Sequence, residues 1–452
     1  MTAPYWRRDD VFRLLCDLVA SDTLVCVTGA GISSRLPQKA DPAKTLPGWP
    51  ALLEQLFATL GSRLSSQDRQ DCERLLRIDP ESRQLDQSSP EKKQWPTGRD
   101  LILTASILRA VAPTEFDTAF RTAVTNADGS YSETHQVVLD LQPAGILTFN
   151  YDSGHENAGS AANRPLMPIL PGDELALRAA LTSRARPFYL KAHGSLSSAA
   201  ELVLTEASYR ELFVRAPAYR AFVQNVLTNF NLVFVGFRLS DPDFDLFVDT
   251  MANQFGSPLH DHVAVFHQKD RTVHDIALRR RYGIHVLYVN DFRDIPPLLK
   301  DTLSQPGPRL EKSLERALSR VHPERTAAHR ELAALGPTGR HCASNALRAR
   351  IDEFTTTQQY FELSEVAYAL GVLNARANKA VLMDLVERDI HVDVAGRALT
   401  VLRPVLQMDD LDRLRGWLER HQNNPAPGPH ADRISKYLDY LLTYVPAKHR
   451  SI

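Results

Sequence analysis

Three polar motifs, each directly after an apolar run, hold the side chains of this sequence that could do chemistry. A Gly-Ala-Gly segment at residues 29–31 follows the first run, Asn150 and Asp152 follow the second, and His193 follows the third. Glycines behind a strand let the backbone approach a pyrophosphate, and a helix starting there would add its positive dipole end. An imidazole suits a general base near neutral pH, while an amide both donates and accepts hydrogen bonds. The motifs therefore predict a nucleotide-binding site with a base.

Each motif also has an ordinary structural explanation. Glycine turns of this type occur in many α/β proteins. The chain has 15 histidines, most of which must lie on the surface or in packing positions. Asn150 could simply form a turn at a strand end, and Asp152 could cap the next helix. The common placement of the motifs after predicted strands favours the functional interpretation.

Taken in order, the motifs resemble those of the sirtuins, the silent-information-regulator family. The family's Gly-Ala-Gly-x-Ser loop, Thr-Gln-Asn-x-Asp motif and catalytic His-Gly pair match residues 29–33, 148–152 and 193–194. Residues 236–243 have the Gly-x-x-x-Ser-Asp-Pro-Asp form seen in bacterial sirtuin-like defence proteins. Residues 47–53 also resemble a segment of those bacterial proteins. The resemblance covers roughly residues 10–305.

The resemblance implies roles for individual residues near the reacting bond. Asn150 would hold a ribose hydroxyl or the attacking water, Asp152 would meet the nicotinamide carboxamide, and His193 would be the general base. The residues expected to cradle the phosphates, with the serine giving a hydroxyl, are Gly29, Ala30, Gly31 and Ser33.

On the adenosine side, the resemblance implies contacts from Gly236, Arg238 and Asn290. Arg238 stands where sirtuins have a serine, and its guanidinium could bind a phosphate. It could equally pair with Asp241 or Asp243, and the sequence leaves both interpretations open.

The sequence departs from the sirtuin pattern in three places. Phe149 replaces the family's glutamine, so one nucleoside contact is lost or moved. The Pro-Asp-Phe-Arg motif is absent, and residues 34–37 are only a loose substitute. The zinc-ribbon cysteines are missing, because no C-x-x-C pair occurs among Cys16, Cys26, Cys72 and Cys342. We therefore expect buried thiols and no zinc or other metal.

The resemblance implies NAD+ as the substrate and an NAD+ glycohydrolase activity that releases nicotinamide and ADP-ribose. It further implies an abortive-infection antiphage effector that depletes NAD+. An NAD-dependent protein deacylase or ADP-ribosyltransferase is one alternative, and an inactive NAD or ADP-ribose sensor that gates a partner is another. Because such effectors stay silent until triggered, a homo-oligomer or a partner subunit is also implied, and a HerA-type ring ATPase is one candidate partner.

Composition excludes several other classes of protein. The chain has 452 residues and a net charge of −1 at pH 7, so no overall field attracts nucleic acid or a membrane. No stretch reaches the apolar length of a membrane span, and the first residues lack a signal core. We expect a cytoplasmic protein of two or three domains.

Apolar runs alternating with helical segments predict an α/β fold, a Rossmann-type doubly wound parallel sheet. The predicted strands are residues 23–28, 145–149, 188–191, 232–236, 262–266 and 284–289. The predicted helices between them include residues 205–229, 243–254 and 272–282. A ligand should lie beyond the carboxyl ends of the strands. We expect a catalytic domain over residues 1–305 with a helical insertion at about 51–141.

Strand patterns stop after residue 308, so residues 309–452 predict an all-α domain. Its predicted helices are residues 311–335, 343–351, 361–377, 381–388, 409–421 and 431–444. Leu411, Leu414 and Leu418 fall on one helix face and must be buried. We expect this domain to serve assembly or partner docking. Packing on neighbouring helices or on the catalytic domain is the alternative.

Overall fold

The computed structural model describes residues 4–79, 82, 96–182, 187–196, 202–236, 260–268, 275–388, 391–422 and 435–436. The chain divides into two compact units. The first comprises residues 1–12 and 23–300, and the second comprises residues 13–22 and 301–452. Within the described ranges, no helix is both long and apolar enough to cross a membrane.

A six-stranded parallel sheet forms the centre of the first unit. Its strands are β1 (Leu24–Thr28), β2 (Gly145–Thr148), β3 (Phe188–Lys191), β4 (Asn231–Val235), β5 (His262–His267) and β6 (Ile284–Val289). The spatial order is β3-β2-β1-β4-β5-β6, which is the doubly wound Rossmann order. All residues of β1 are buried, since helices cover both faces of such a sheet. The predicted fold class is confirmed.

Helices surround the sheet and form the insertion between β1 and β2. Those of the first unit are α2 (Trp49–Leu60), α3 (Ser66–Leu75), α4 (Gly98–Val111), α5 (Pro113–Val124), α6 (Glu133–Asp140), α7 (Gly154–Ala161), α8 (Glu174–Thr182), α9 (Glu206–Arg215), α10 (Pro217–Asn229), α11 (Asp275–Tyr282) and α12 (Ile295–Thr302), whose last two residues fall in the second unit. Short 3₁₀ helices lie at Tyr5–Arg8, Ala30–Ile32, Gly61–Arg63 and Phe292–Asp294. The insertion has its own apolar core, which includes Leu53, Leu108 and Phe116.

Two predicted helices are each divided in two. The helix expected at residues 205–229 breaks at Ala216, because a residue before proline is disfavoured in the α conformation and Pro217 begins α10. The helix expected at 311–335 is likewise two helices, separated near Val321. The predicted helices at 243–254 and 431–444 lie outside the described residues, except for 435–436.

The second unit is helical throughout its described part. Its elements are α1 (Asp10–Ala20, from residue 13 onward), α13 (Pro308–Ala317), α14 (His322–Ala333), α15 (Pro337–Ala349), α16 (Ile351–Thr356), α17 (Tyr360–Asn374), α18 (Lys379–Glu387), α19 (Val392–Leu402) and α20 (Met408–Gln422). Leu411 and Leu414 are fully buried in the core of this same unit, together with Trp417. The side chain of Leu418 lies outside the described residues. The alternative of packing on neighbouring helices therefore holds for Leu411 and Leu414. A role of this domain in assembly or partner docking stays a prediction.

The sheet register brings the motifs to one level. Thr28 pairs with Thr148 on one side and with Val235 on the other, and Thr148 pairs with Lys191. The chain therefore leaves β1, β2, β3 and β4 at the same edge of the sheet. Adjacent strands are about 4.8 Å apart, so the segments that follow these four strands are neighbours.

A close backbone approach at this edge joins Gly31 to Gly236. The Gly31 N–H donates to the Gly236 carbonyl oxygen at 2.8 Å. A Cβ on Gly31 would lie 2.8 Å from Gly236 Cα, and a Cβ on Gly236 would lie 2.5 Å from Ile32 N. Gly236 also has a φ of 62°. Both positions need glycine to let the segments after β1 and β4 touch.

We expect Gly236→Ala to lower the melting temperature more than Gly129→Ala does. Both glycines have positive φ, 62° and 71°, so alanine carries a similar left-handed cost at each, roughly 1–2 kcal/mol. Nothing lies within 4 Å of the Cβ position at Gly129. The collision at Gly236 should add roughly 1–3 kcal/mol. Equal shifts in thermal unfolding of the two variants would show that the close approach is unimportant.

Candidate functional site

The glycine loop after β1 is held in place by its own backbone. The Gly29 N–H donates to the Val235 carbonyl at 3.3 Å, alongside the bond from Gly31 to Gly236. A single 3₁₀ turn follows, and the next α-helix begins only at Trp49. Within residues 29–48, all of which the structure describes, no α-helix begins, so no α-helix dipole supports this loop.

Few of the loop amides are available to a phosphate. The N–H groups of Ile32 and Ser33 donate to the carbonyls of Gly29 and Ala30. The Ala30 N–H bonds to no acceptor in the described part of the chain, and Ala30 is exposed. In this conformation the loop offers an anion the exposed Ala30 amide, while Ser33 is only 2% exposed, so the loop is less than a full cradle.

Asn150 is tied to the glycine loop by its side chain. Its Nδ2 donates to the Gly29 carbonyl oxygen at 3.0 Å and to Ser33 Oγ at 3.1 Å. A carbonyl oxygen can only accept, so this contact fixes which end of the amide is nitrogen. No donor of the described residues bonds to Asn150 Oδ1, and the side chain is 7% exposed. Asn150 therefore keeps an acceptor for a hydroxyl or a water.

His193 lies just beyond β3, enclosed by aromatic side chains. The ring of Phe149 packs edge-on against the imidazole at 5.0 Å between centroids. The Tyr151 hydroxyl donates to the Val203 carbonyl at 2.7 Å and lies 3.4 Å from His193 Nδ1. Because Tyr151 has only one proton to donate, the second contact requires Nδ1 to carry its own proton. The lone pair is then on Nε2, which lies 3.3 Å from the Tyr209 hydroxyl.

Burial sets the protonation state of His193. The side chain is fully buried, and desolvation lowers its pKa to about 3, far from the neutral value expected for a base. The imidazole is therefore neutral and can accept a proton at Nε2, although it is a weak base while enclosed. The unfolded chain would bind this proton near pH 6.5, so acidification from about pH 6.5 to 3 destabilises the fold.

A buried lysine that the sequence analysis did not single out supports the turn after β2. The Lys191 ammonium is fully buried and donates to the backbone carbonyls of Tyr151 and Asp152. It also bonds to Glu156 Oε1 at 2.9 Å, and Tyr189 donates to the other oxygen of that carboxylate. Lys191 thereby connects β3 to the segment that carries Asn150. Its position at the end of an otherwise apolar strand was the signal for this role.

Asp152 adopts the capping role that was the alternative to ligand contact. Its Oδ1 accepts a hydrogen bond from the backbone N–H of Gly154, at the start of α7, at 2.9 Å. The carboxylate is 7% exposed. Its charge opposes the desolvation that lowers the pKa of His135 to about 4. Asp152 therefore has a structural role at the start of α7, and its contact with a nicotinamide carboxamide stays a prediction.

The residues predicted for the adenosine side are only partly described. Gly236 meets the glycine loop directly. Asn290 is exposed after β6, which is three strands from β1 and therefore about 14 Å away across the sheet. Its backbone N–H donates to the Tyr5 hydroxyl at 2.9 Å. Arg238 lies outside the described residues.

Two further buried histidines lie behind the glycine loop. His135 contacts Ser33, and His155 Nε2 lies 2.9 Å from Thr28 Oγ1. Their rings meet edge-on at 4.7 Å between centroids. No spacing pattern in the sequence marks either residue, because each comes from a separate helix that only the folded chain brings to the loop.

The described cysteines are free and buried, and burial raises the pKa of Cys26 to about 12. A thiolate nucleophile is therefore not available at Cys26. Among the described residues, no group of three or more His, Cys, Asp or Glu side chains is placed to hold a metal ion.

Residues 144–287 match the family model of the SIR2-like domain. The matched range runs from the start of β2 to β6 and includes Asn150, His193 and Gly236. The match supports a sirtuin-like domain in this chain and suggests NAD-related activity in general. The glycine loop at residues 29–33 lies before the SIR2-like match. A search of curated proteins found no match to the chain.

We expect Lys191→Met to destabilise the first unit by roughly 3–5 kcal/mol, because it leaves the Glu156 carboxylate, which is 21% exposed, and two buried backbone carbonyls without their donor. The matched control is Lys300→Met. Lys300 pairs with Glu133 at 2.6 Å, but both side chains are more than half exposed, so the loss should be roughly 0–1 kcal/mol. Thermal unfolding of the two variants measures the difference. Similar small losses for both would contradict the role given to Lys191.

Proposed function

We propose that this chain hydrolyses NAD+ to nicotinamide and ADP-ribose. The observation that carries the proposal is the attachment of Asn150 to the glycine loop. A loop at this place in a Rossmann sheet binds pyrophosphate, and here it holds an amide whose oxygen stays available near the end of β3, just after which His193 lies. The SIR2-like match at residues 144–287 agrees with NAD as the substrate class.

The reaction needs a nucleophile and little acid catalysis. The C1′–N bond breaks through an oxocarbenium-like transition state, and its electron pair goes to the pyridinium nitrogen. Nicotinamide therefore leaves neutral and needs no proton. Water forms the new C1′–O bond and gives its proton to His193 Nε2, from which the proton passes to solvent. Asn150 Oδ1 accepts from the water or a ribose hydroxyl, and the substrate group displaces the Tyr209 hydroxyl from Nε2.

The helical insertion favours hydrolysis over protein deacylation. In sirtuins the corresponding module is a zinc ribbon that frames the acyl-lysine peptide. Here the insertion is held by an apolar core in which Cys72 is fully buried. Burial raises the pKa of that thiol to about 12, which disfavours a metal-binding thiolate. An apolar core of this kind can hold the insertion together without a zinc ribbon.

Incubation of the full chain with NAD+ in ¹⁸O-labelled water tests the proposal. We expect equal amounts of nicotinamide and ADP-ribose, with the label at the C1′ hydroxyl. His193→Ala and Asn150→Ala should each lower the rate by about two to four orders of magnitude. His341→Ala, which removes an exposed histidine of the second unit, should leave the rate unchanged.

Other products would identify the alternatives. Label-free ADP-ribose linked to protein would indicate a transferase, and acetyl-ADP-ribose formed with an acetyl-lysine peptide would indicate a deacylase. NAD+ binding without turnover, in the presence of infected-cell extract as a source of activator, would indicate a sensor. A rate equal to wild type for His193→Ala, at unchanged melting temperature, would remove His193 from the mechanism.

We further propose that the activity serves abortive defence against phage and is held low by assembly or by a partner subunit. Unregulated NAD+ hydrolysis would kill the host cell, and the enclosure of His193 agrees with a resting state. Bacteria expressing the chain should lose NAD+ after phage challenge and release fewer phage. The His193→Ala chain should give neither effect. Protection without NAD+ loss would contradict this cellular role.

A further inference from the structure

His135 lies behind the glycine loop, where its protonation is fixed by a backbone group. It comes from the first turn of α6 and is fully buried. The backbone N–H of Ser132 donates to His135 Nδ1 at 3.1 Å, and Ser132 Oγ lies 2.7 Å from the same nitrogen. A backbone N–H can only donate, so Nδ1 carries no proton. The neutral imidazole therefore carries its proton on Nε2.

The proton on Nε2 determines what Ser33 can do. His135 Nε2 lies 3.4 Å from Ser33 Oγ and donates to it, and Asn150 Nδ2 donates to the same oxygen at 3.1 Å. Both lone pairs of the hydroxyl are then used. Within the described part of the chain, no acceptor bonds to the Ser33 proton. Ser33 is left as a donor.

Gly154 leaves room for the His135 imidazole because it has no side chain. A Cβ on that residue would lie 2.4 Å from His135 Nε2 and 2.9 Å from Asp152 Oδ1. Any larger residue at the start of α7 would push the imidazole away from Ser33. The imidazole position is thus set at the starts of two helices. Ser132 caps α6 and bonds to the ring, and Gly154 at the start of α7 leaves room for it because it has no side chain.

We propose that His135 is a positioning residue that makes Ser33 an obligate hydrogen-bond donor toward a phosphate or ribose oxygen of the ligand and keeps the Asn150 amide in place. The identity of the ligand rests on the proposed function, but the hydrogen bonds that His135 and Asn150 donate to Ser33 do not. If His135 only packed against the His155 ring, the shape of its side chain would matter, and neither of its ring nitrogens would be required.

Two substitutions separate these roles. In His135→Gln the side-chain nitrogen can replace Nε2 as donor to Ser33. In His135→Asn the oxygen can replace Nδ1 as acceptor from Ser132, but the side chain is too short to reach Ser33. We expect ADP-ribose, measured by calorimetry, to bind His135→Asn about tenfold more weakly and His135→Gln within about threefold of the full wild-type chain. Ser33→Ala should weaken ADP-ribose binding as much as His135→Asn does, and the variant that combines these two substitutions should bind no more weakly than either one.

The opposite results would overturn the proposal. Equal weakening by Gln and Asn, or additive losses in the double variant, would indicate packing alone. Failure of the wild-type chain to bind ADP-ribose would count against the proposed function. In that case, histidine ¹⁵N spectra compared with the His135→Gln chain still decide the inference. A pyridine-like Nδ1 and a pyrrole-like Nε2 for His135 support it, and the reverse assignment overturns it.

Discussion

The arrangement of the site depends on one backbone contact, the approach of Gly31 to Gly236 at the point where the strand order reverses. β1 and β4 are neighbours in the sheet but distant in sequence, and their following segments touch because neither glycine has a Cβ. This contact fixes the glycine loop without an α-helix behind it. Asn150 then bonds to the loop through the Gly29 carbonyl and Ser33. The glycine loop and a polar amide thus become one hydrogen-bonded group.

Burial of histidines is the second feature of this edge of the sheet. His193, His135 and His155 are enclosed, and desolvation lowers the pKa of each imidazole below its ordinary value. Neutral imidazoles have one donor and one acceptor nitrogen, so their neighbours can assign a direction to each hydrogen bond. The site therefore contains ordered donors and acceptors rather than additional positive charge, which suits the proposed reaction, whose leaving group needs no proton.

The second unit shows why an apolar stripe alone does not indicate a partner. Leu411 and Leu414 follow helical spacing on α20, but they are buried by helices of the same unit. That core also includes residues of α19, a helix that the sequence analysis did not predict. The sequence shows that such a face must be covered, and it does not show by what.

The sequence by itself determined the parallel sheet and the position of the motifs. Each strand has a near-continuous apolar run, and the order of runs and polar ends needs no long-range information. Helix ends were harder to predict from the sequence. Hydrophobic periodicity predicted one helix over residues 205–229, but the proline at residue 217 divides it into two. The tertiary structure alone decided which polar atoms meet. Lys191, His135 and Tyr209 have no pattern in common, and their contacts with the motif residues depend on packing between distant segments. Protonation states followed from that packing, since burial is a property of the folded chain and not of residue type.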